Sequence, residues 1–140
     1  MTREQMDEIV RDHFGFEAAD DVDGVMGTLA EEAEHEVIPS PVGALRDRAR
    51  MRAYYETLFS ALDGEGVTPI RRLYGEDFLV DETMWHGRIN DGAPFLCEGQ
   101  SGPVSFRLLH VFELLDGEIK REQVWCDLAE IQRQLGAAGS

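Results

Sequence analysis

Asp116-Gly117 stands between two runs of alternating character, Val104–Leu115 and Glu118–Cys126. An Asp-Gly pair so placed is a strong signal for a two-residue hairpin, because both turn positions need positive φ, which glycine adopts freely and aspartate tolerates. A two-residue loop also predicts a register. Leu115 falls opposite Glu118, His110 opposite Gln123, Leu108 opposite Trp125, and Phe106 opposite Asp127. Side chains alternate along a strand, so one face carries Phe106, Leu108, His110, Phe112, Leu114, Ile119, Arg121, Gln123, Trp125 and Asp127. The other carries Arg107, Leu109, Val111, Glu113, Glu118, Lys120, Glu122, Val124 and Cys126, the mixture of a solvated or subunit-contact surface. On the first face His110, Gln123 and Asp127 are set among apolar and aromatic groups. Buried polar groups need partners, and this mixture is that of a small-molecule pocket.

The rest of the chain supplies what the hairpin packs on. Thr2 with Gln5 reads as a capping box, followed by Met6, Ile9, Val10, His13 and Phe14 at helical spacing. A short second helix follows Asp20-Asp21, with Val22, Val25, Met26 and Leu29 as its apolar stripe. Ala33–Ile38 reads as a strand stopped at Pro39–Gly43. A third helix spans about Arg46–Leu62, with Met51, Tyr54 or Tyr55, Leu58 and Leu62 on one face, and Gly64 and Gly66 end it. Val67–Tyr74 and Phe78–His86 form a hairpin around Gly75-Glu76-Asp77, Arg88–Gly102 reads as a long loop, and a last helix starts near Leu128 and fades into Gly136–Ser140. The pattern predicts an α+β fold over 1–140 as a single domain: a curved antiparallel sheet packed against three N-terminal helices, with a short C-terminal helix.

Charge narrows the partners. Thirteen Lys and Arg against 28 Asp and Glu give a net charge of −15. Such a surface repels nucleic-acid phosphates and anionic lipid, so neither nucleic acid nor a membrane surface is expected as a partner. Cys97 and Cys126 form no CxxC pair, and the charged N-terminus has no apolar run behind it, so a reduced, cytoplasmic protein is expected. No metal-ligand spacing, phosphate loop or nucleophile elbow is present in the sequence, and no cofactor or metal is implied.

Five segments in order, Ile9–Phe14, Asp21–Val25, Leu29–Ala33, Met51–Tyr55 and His110–Ile119, with Val124–Leu128 behind them, resemble the nuclear-transport-factor-2-like or SnoaL-like cone fold. That superfamily includes ketosteroid isomerases, limonene-epoxide hydrolases, scytalone dehydratases and polyketide cyclases. The resemblance implies a cone-shaped sheet, a homodimer through the sheet, and a small apolar ligand of polyketide, terpenoid or steroid type. It sets His110 where the isomerases carry an oxyanion-hole aspartic acid, His13 where they carry the oxyanion-hole tyrosine, and Asp127 where hydrolases and cyclases carry an acid or base. Glu36–Ser40 holds no aspartate where the isomerase base belongs, so ordinary steroid isomerisation is not implied.

These readings give His110 and Asp127 as candidate catalytic residues. Asp127 also begins Asp-Leu-Ala-Glu130, a helix-capping pattern. His110 reads either as a proton carrier or as a core histidine bonded to Gln123. The candidate substrate-binding set is Trp125, Gln123, Phe106, Leu108, Phe112, His13, Tyr54, Tyr55, Asp81, Trp85 and His35. The facing of Asp81 and Trp85 depends on whether their turn holds two or three residues, and adjacent Tyr54 and Tyr55 allow only one to face the sheet. The expected function is cofactor-independent acid–base chemistry on a small apolar oxygenated molecule. The alternatives are a non-catalytic binding module, or a dimerisation domain with a vestigial pocket.

Overall fold

The computed structural model describes residues 1–138; the last helix continues through Gly136–Ala138, where the sequence predicts its fade, and Gly139 and Ser140 lie outside the described residues. In chain order the elements are α1 (Arg3–Ala18), α2 (Val22–Thr28), β1 (Leu29–Ile38), α3 (Arg48–Ala61), β2 (Leu62–Tyr74), β3 (Phe78–Ile89), a 3₁₀ turn at Ala93–Phe95, β4 (Gly102–Leu115), β5 (Glu118–Cys126) and α4 (Leu128–Ala138). Each helix start has its chemical reason. Thr2 and Gln5 exchange side-chain bonds with each other's backbone N–H, Asp21 accepts from Gly24 N–H, and Asp47 accepts from Arg50 N–H.

The sheet runs in the order β1-β5-β4-β3-β2. Its β2-β3-β4-β5 part is an antiparallel meander, as the hairpin signals predict, but β1 pairs parallel with β5 and makes the sheet mixed. No hairpin ties β1 to its neighbour, since α3 leads the chain from β1 at one edge to β2 at the other, and nothing local dictates its direction. Gly64 and Gly66 do not end α3. The helix stops at Ala61, and both glycines lie inside β2, where the pairing with β3 shifts register between them. A second shift, between Pro69 and Arg71, adds to the bend that curls this edge over the concave face.

Two apolar clusters hold the layers together. Met6, Val10, Val25, Met51, Leu79 and Phe112 join α1, α2 and α3 to the centre of the sheet. Ile89, Phe95, Val104, Phe106, Ile131 and Leu135 clamp α4 and the 3₁₀ turn onto the other end. Among the described residues no helix is long and apolar enough to cross a membrane.

The hairpin at Asp116-Gly117 forms as predicted: both residues have positive φ, 52° and 82°, and Leu115 pairs with Glu118. The register beyond it does not. Leu114 pairs with Ile119 but Glu113 pairs with Arg121, so Lys120 is an extra residue, a β-bulge. From there on every side chain of β5 is turned over. His110 pairs with Val124, Val111 with Gln123, and Leu109 with Trp125. Glu122, Val124 and Cys126 therefore share the concave face with His110. Arg121, Gln123, Trp125 and Asp127 face the convex side, and the predicted face is corrected at each of these positions.

Candidate active site

Between α1, α3 and the concave face lies a cavity of about 880 Å³. Its wall is mainly apolar: Phe14 from α1, Leu58 and Phe59 from α3, Trp85 from β3, Phe106 and Leu108 from β4, and Val124 from β5. Into this wall are set His35, Tyr54, Tyr55, His110, Glu17, Cys126, and the Arg72–Asp81 pair. The two-residue reading of the β2–β3 turn is the one that holds, because Tyr74 pairs with Leu79 and Gly75 N–H donates to the Phe78 carbonyl at 2.8 Å around Glu76-Asp77, and Asp81, opposite His110, faces inward with Thr83 and Trp85. Asp81 accepts from Arg72 Nε at 2.8 Å. The same guanidinium donates through Nη1 to Asp7 at 2.8 Å, and Tyr74 donates its hydroxyl to Asp7 at 2.6 Å. This network fastens β2 to α1. Burial pushes the Asp7 carboxyl up, but the Tyr74 and Arg72 hydrogen bonds outweigh it and leave it below its ordinary value.

Below the cavity floor sits the residue that the sequence register places outside. Glu122 is completely buried. Its Oε2 is 2.9 Å from His13 Nε2, and its Oε1 accepts the Tyr55 hydroxyl at 2.5 Å. His35 Nε2 stands 3.4 Å from Oε1 and His110 Nε2 3.8 Å from Oε2. Three imidazoles and a phenol, from α1, β1, β4 and α3, converge on one carboxylate. Burial raises the Glu122 pKa, yet the charge and hydrogen bond of His13, then His35 and His110, hold it well below the usual carboxylate range.

The protons of His13 follow from its neighbours. The Thr28 hydroxyl donates to the Val25 carbonyl at 2.6 Å, so its oxygen accepts from His13 Nδ1–H at 2.7 Å. The other nitrogen, Nε2, lies between Glu122 and Glu17 Oε1, the latter at 2.8 Å, and also donates. His13 is therefore an imidazolium. Burial lowers its pKa, but the two carboxylates outweigh burial and raise it to about 10. His35 goes the other way, since burial lowers it further than Glu122 raises it. Burial, then the Cys126 and Glu122 charges, raises the Tyr54 hydroxyl to about 12; Tyr55 rises well above its usual value for the same first cause.

The structure thus brings together His110, His35, Tyr54, Tyr55, Asp81, Trp85, Phe106 and Leu108 around the cavity. Both tyrosines reach it, although adjacent helical positions diverge by roughly 100°. His13 and Phe112 sit in the packed layer against it, with Phe112 stacked on the His110 ring at 5.3 Å. Gln123, Trp125 and Asp127 are not part of it. Gln123 donates to Glu36 at 3.1 Å rather than to His110. Trp125 is 44% exposed on the convex side. Asp127 accepts from Glu130 N–H at 3.3 Å, so it caps α4. With Arg107, Leu109 and Trp125 it borders a smaller depression of about 270 Å³ on that side.

Three residues escape the sequence reading. Glu122 does so through the bulge, Arg72 through its partner Asp81, and Glu17, four residues after His13 on one helix face, because that spacing is equally that of an ordinary surface pair. A signal for the bulge is present. Ile119 has one parity and Val124 and Cys126 the other, and the two cannot both face inward along a regular strand.

Comparison with known proteins agrees with this architecture. No curated protein matches the chain. Among solved structures, TsrD from Streptomyces laurentii superposes with a TM-score of 0.78 at 22% identity over 98% of both chains. An LEH-like epoxide hydrolase of M. tuberculosis gives 0.72 at 17% identity, covering 96% of this chain and 91% of that one. A protein of ketosteroid isomerase-like fold from Catenulispora acidiphila, in complex with trimethylamine, gives 0.74 at 15% identity over 92% of each. At these identities the likeness is one of fold. The family model of the SnoaL-like domain matches residues 10–122, and the chain belongs to that family.

Proposed function

We propose that the domain is an enzyme performing general acid–base chemistry on a small, largely apolar, oxygen-bearing molecule of polyketide, terpenoid or steroid type. The observation that supports this most is the cavity itself, about 880 Å³, walled by aromatics and floored by His35, His110, Tyr54 and Tyr55. That volume suits a drug-sized ligand. His110 exchanges a proton with the substrate, and Glu122 behind it stabilises the charge that the ring gains. Tyr54 from α3, and the Arg72–Asp81 pair beside His110 on the sheet, orient the substrate's oxygens. The carboxylate in this reading is Glu122, beneath the floor as the partner of His110, and not Asp127, which caps α4 on the convex side. No cofactor enters this reading, which covers isomerisation, cyclisation, dehydration and hydrolytic opening alike.

The rival reading is a receptor that holds such a ligand without turning it over. A panel of epoxides, hydroxyketones and cyclisable polyketides separates the two when wild type is compared with His110→Gln. Loss of turnover by about 10²- to 10⁴-fold in a folded variant supports catalysis. Saturable binding without turnover by wild type establishes the receptor instead. We further propose a cytoplasmic homodimer joined through the convex face of the sheet, where Trp125, Leu109 and Val111 are set among Arg107, Glu82 and Glu113.

A further inference from the structure

The cluster beneath the floor has ligand atoms of which acid–base chemistry uses only those of Glu122. His13 Nε2 is 2.8 Å from Glu17 Oε1 and 2.9 Å from Glu122 Oε2, and these three atoms all lie within 4.8 Å of one another. Ligands at about 2.1 Å from a first-row ion stand about 3 Å apart where they meet at a right angle and about 3.4 Å apart in a tetrahedron, so a shift of roughly half an ångström converts these contacts into ligand spacings. The tautomer is also prepared. Thr28 fixes the hydrogen on His13 Nδ1, so a neutral ring presents its lone pair at Nε2, as ligating histidines do when an outer partner takes the other N–H.

A second observation comes from His110. It is 4% exposed, its Nδ1 has no hydrogen-bond partner, and its Nε2 faces Glu122 at 3.8 Å, too far for a hydrogen bond. His35 Nε2 faces the same carboxylate at 3.4 Å. The charge is also unbalanced. Two carboxylates on one imidazolium leave a net negative charge in a largely buried place, which is costly. A divalent ion in place of the Nε2 proton brings the total to zero.

We propose that His13, Glu17 and Glu122 form a binding site for a divalent first-row metal ion of the zinc or cobalt kind, with the His35 and His110 imidazoles beside it. Imidazole and carboxylate without thiolate suit such ions, whereas calcium and magnesium favour all-oxygen sets. Glu17 lines the cavity, so the ion enters from that side. The inference does not rest on the acid–base reading, because it is read by metal uptake rather than by turnover.

The test uses the full chain, stripped with chelator and dialysed, then titrated with Zn²⁺ by calorimetry and with Co²⁺ by its visible absorption, with Mg²⁺ as control. One equivalent of Zn²⁺ or Co²⁺ per chain, and no comparable Mg²⁺ binding, is expected. Glu17→Gln removes one ligand from a half-buried helix position and keeps the fold, as circular dichroism will check. Its affinity should fall by more than the roughly 10- to 100-fold that loss of an outer partner costs. Asp20→Asn, at a cavity-wall carboxylate outside the cluster, should bind as wild type does. Absence of stoichiometric binding, or binding equal in wild type and Glu17→Gln, overturns the proposal and leaves the proton as the sole occupant.

Discussion

A carboxylate with no exposed surface persists in a folded chain only where its neighbours replace the water it has lost, and Glu122 has its replacement in His13 and the Tyr55 hydroxyl. Tyr55→Phe tests the strength of that arrangement, since it removes one donor and leaves the ring in its contacts. A hydrogen bond to a charged group contributes about 1.5–3 kcal/mol, so urea unfolding should show a loss in that range. A loss near zero would mean that Glu122 is held by His13 alone. The cysteines give a pH-dependent case. Burial, then the neighbouring Asp127 charge, pushes the Cys126 thiol up to about 11, and burial alone raises Cys97. At pH 8 roughly a thousandth of Cys126 is thiolate, against about a quarter of a free cysteine. Alkylation of the native protein should therefore be slow at pH 8 and quicken toward pH 11. Rapid labelling at neutral pH would contradict the burial assigned to both thiols.

At the scale of elements, what the sequence makes legible is local chemistry. The Thr2–Gln5 box, the Asp116-Gly117 turn and the meander are readable because each depends on residues close together in the chain. The parallel pairing of β1 with β5 is not, since α3 and the whole meander intervene. The bulge at Lys120 is half legible, and missing it exchanges Glu122 for Gln123, Trp125 and Asp127 in the expected site. Two experiments follow from that exchange. Deletion of Lys120 takes out the extra residue and leaves Ile119 and Glu122 both inward, so the chain should keep a cooperative thermal transition. In an unbulged strand the same deletion would turn β5 inside out and abolish folding. Asp127, as a cap, predicts a stability loss of about 1 kcal/mol for Asp127→Ala and almost none for Asp127→Asn. Denaturant midpoints will decide. Equal losses in the two variants would remove the cap assignment.

For the whole molecule, the convex face and the charge pull in opposite directions. Trp125 is 44% exposed, with half-buried Leu109 and Val111 near it. Glu82 bridges Arg107 and Arg71 on the same side, so both of these cations already have a carboxylate partner. An apolar centre with a polar, paired rim is the composition of a subunit interface. Yet each chain carries a net charge of −15, and two copies repel through water at low ionic strength. Salt shortens the Debye length from about 30 Å at 0.01 M to about 8 Å at 0.15 M, which screens that repulsion while leaving apolar burial intact. Dimerisation should therefore strengthen as salt rises, opposite to an interface held by complementary charges. Light scattering at micromolar concentration should give twice the 15.7 kDa of one chain at 0.15 M salt, with partial dissociation at 0.01 M. Trp125→Glu puts a carboxylate at the centre of the face and adds to the net negative charge, so it should give 15.7 kDa at both ionic strengths with the fold retained. A wild-type mass of one chain at both salts would rule out the dimer. A dimer that survives Trp125→Glu would move the interface to the exposed edge strand β2, where Val67, Ile70 and Leu73 are open to solvent.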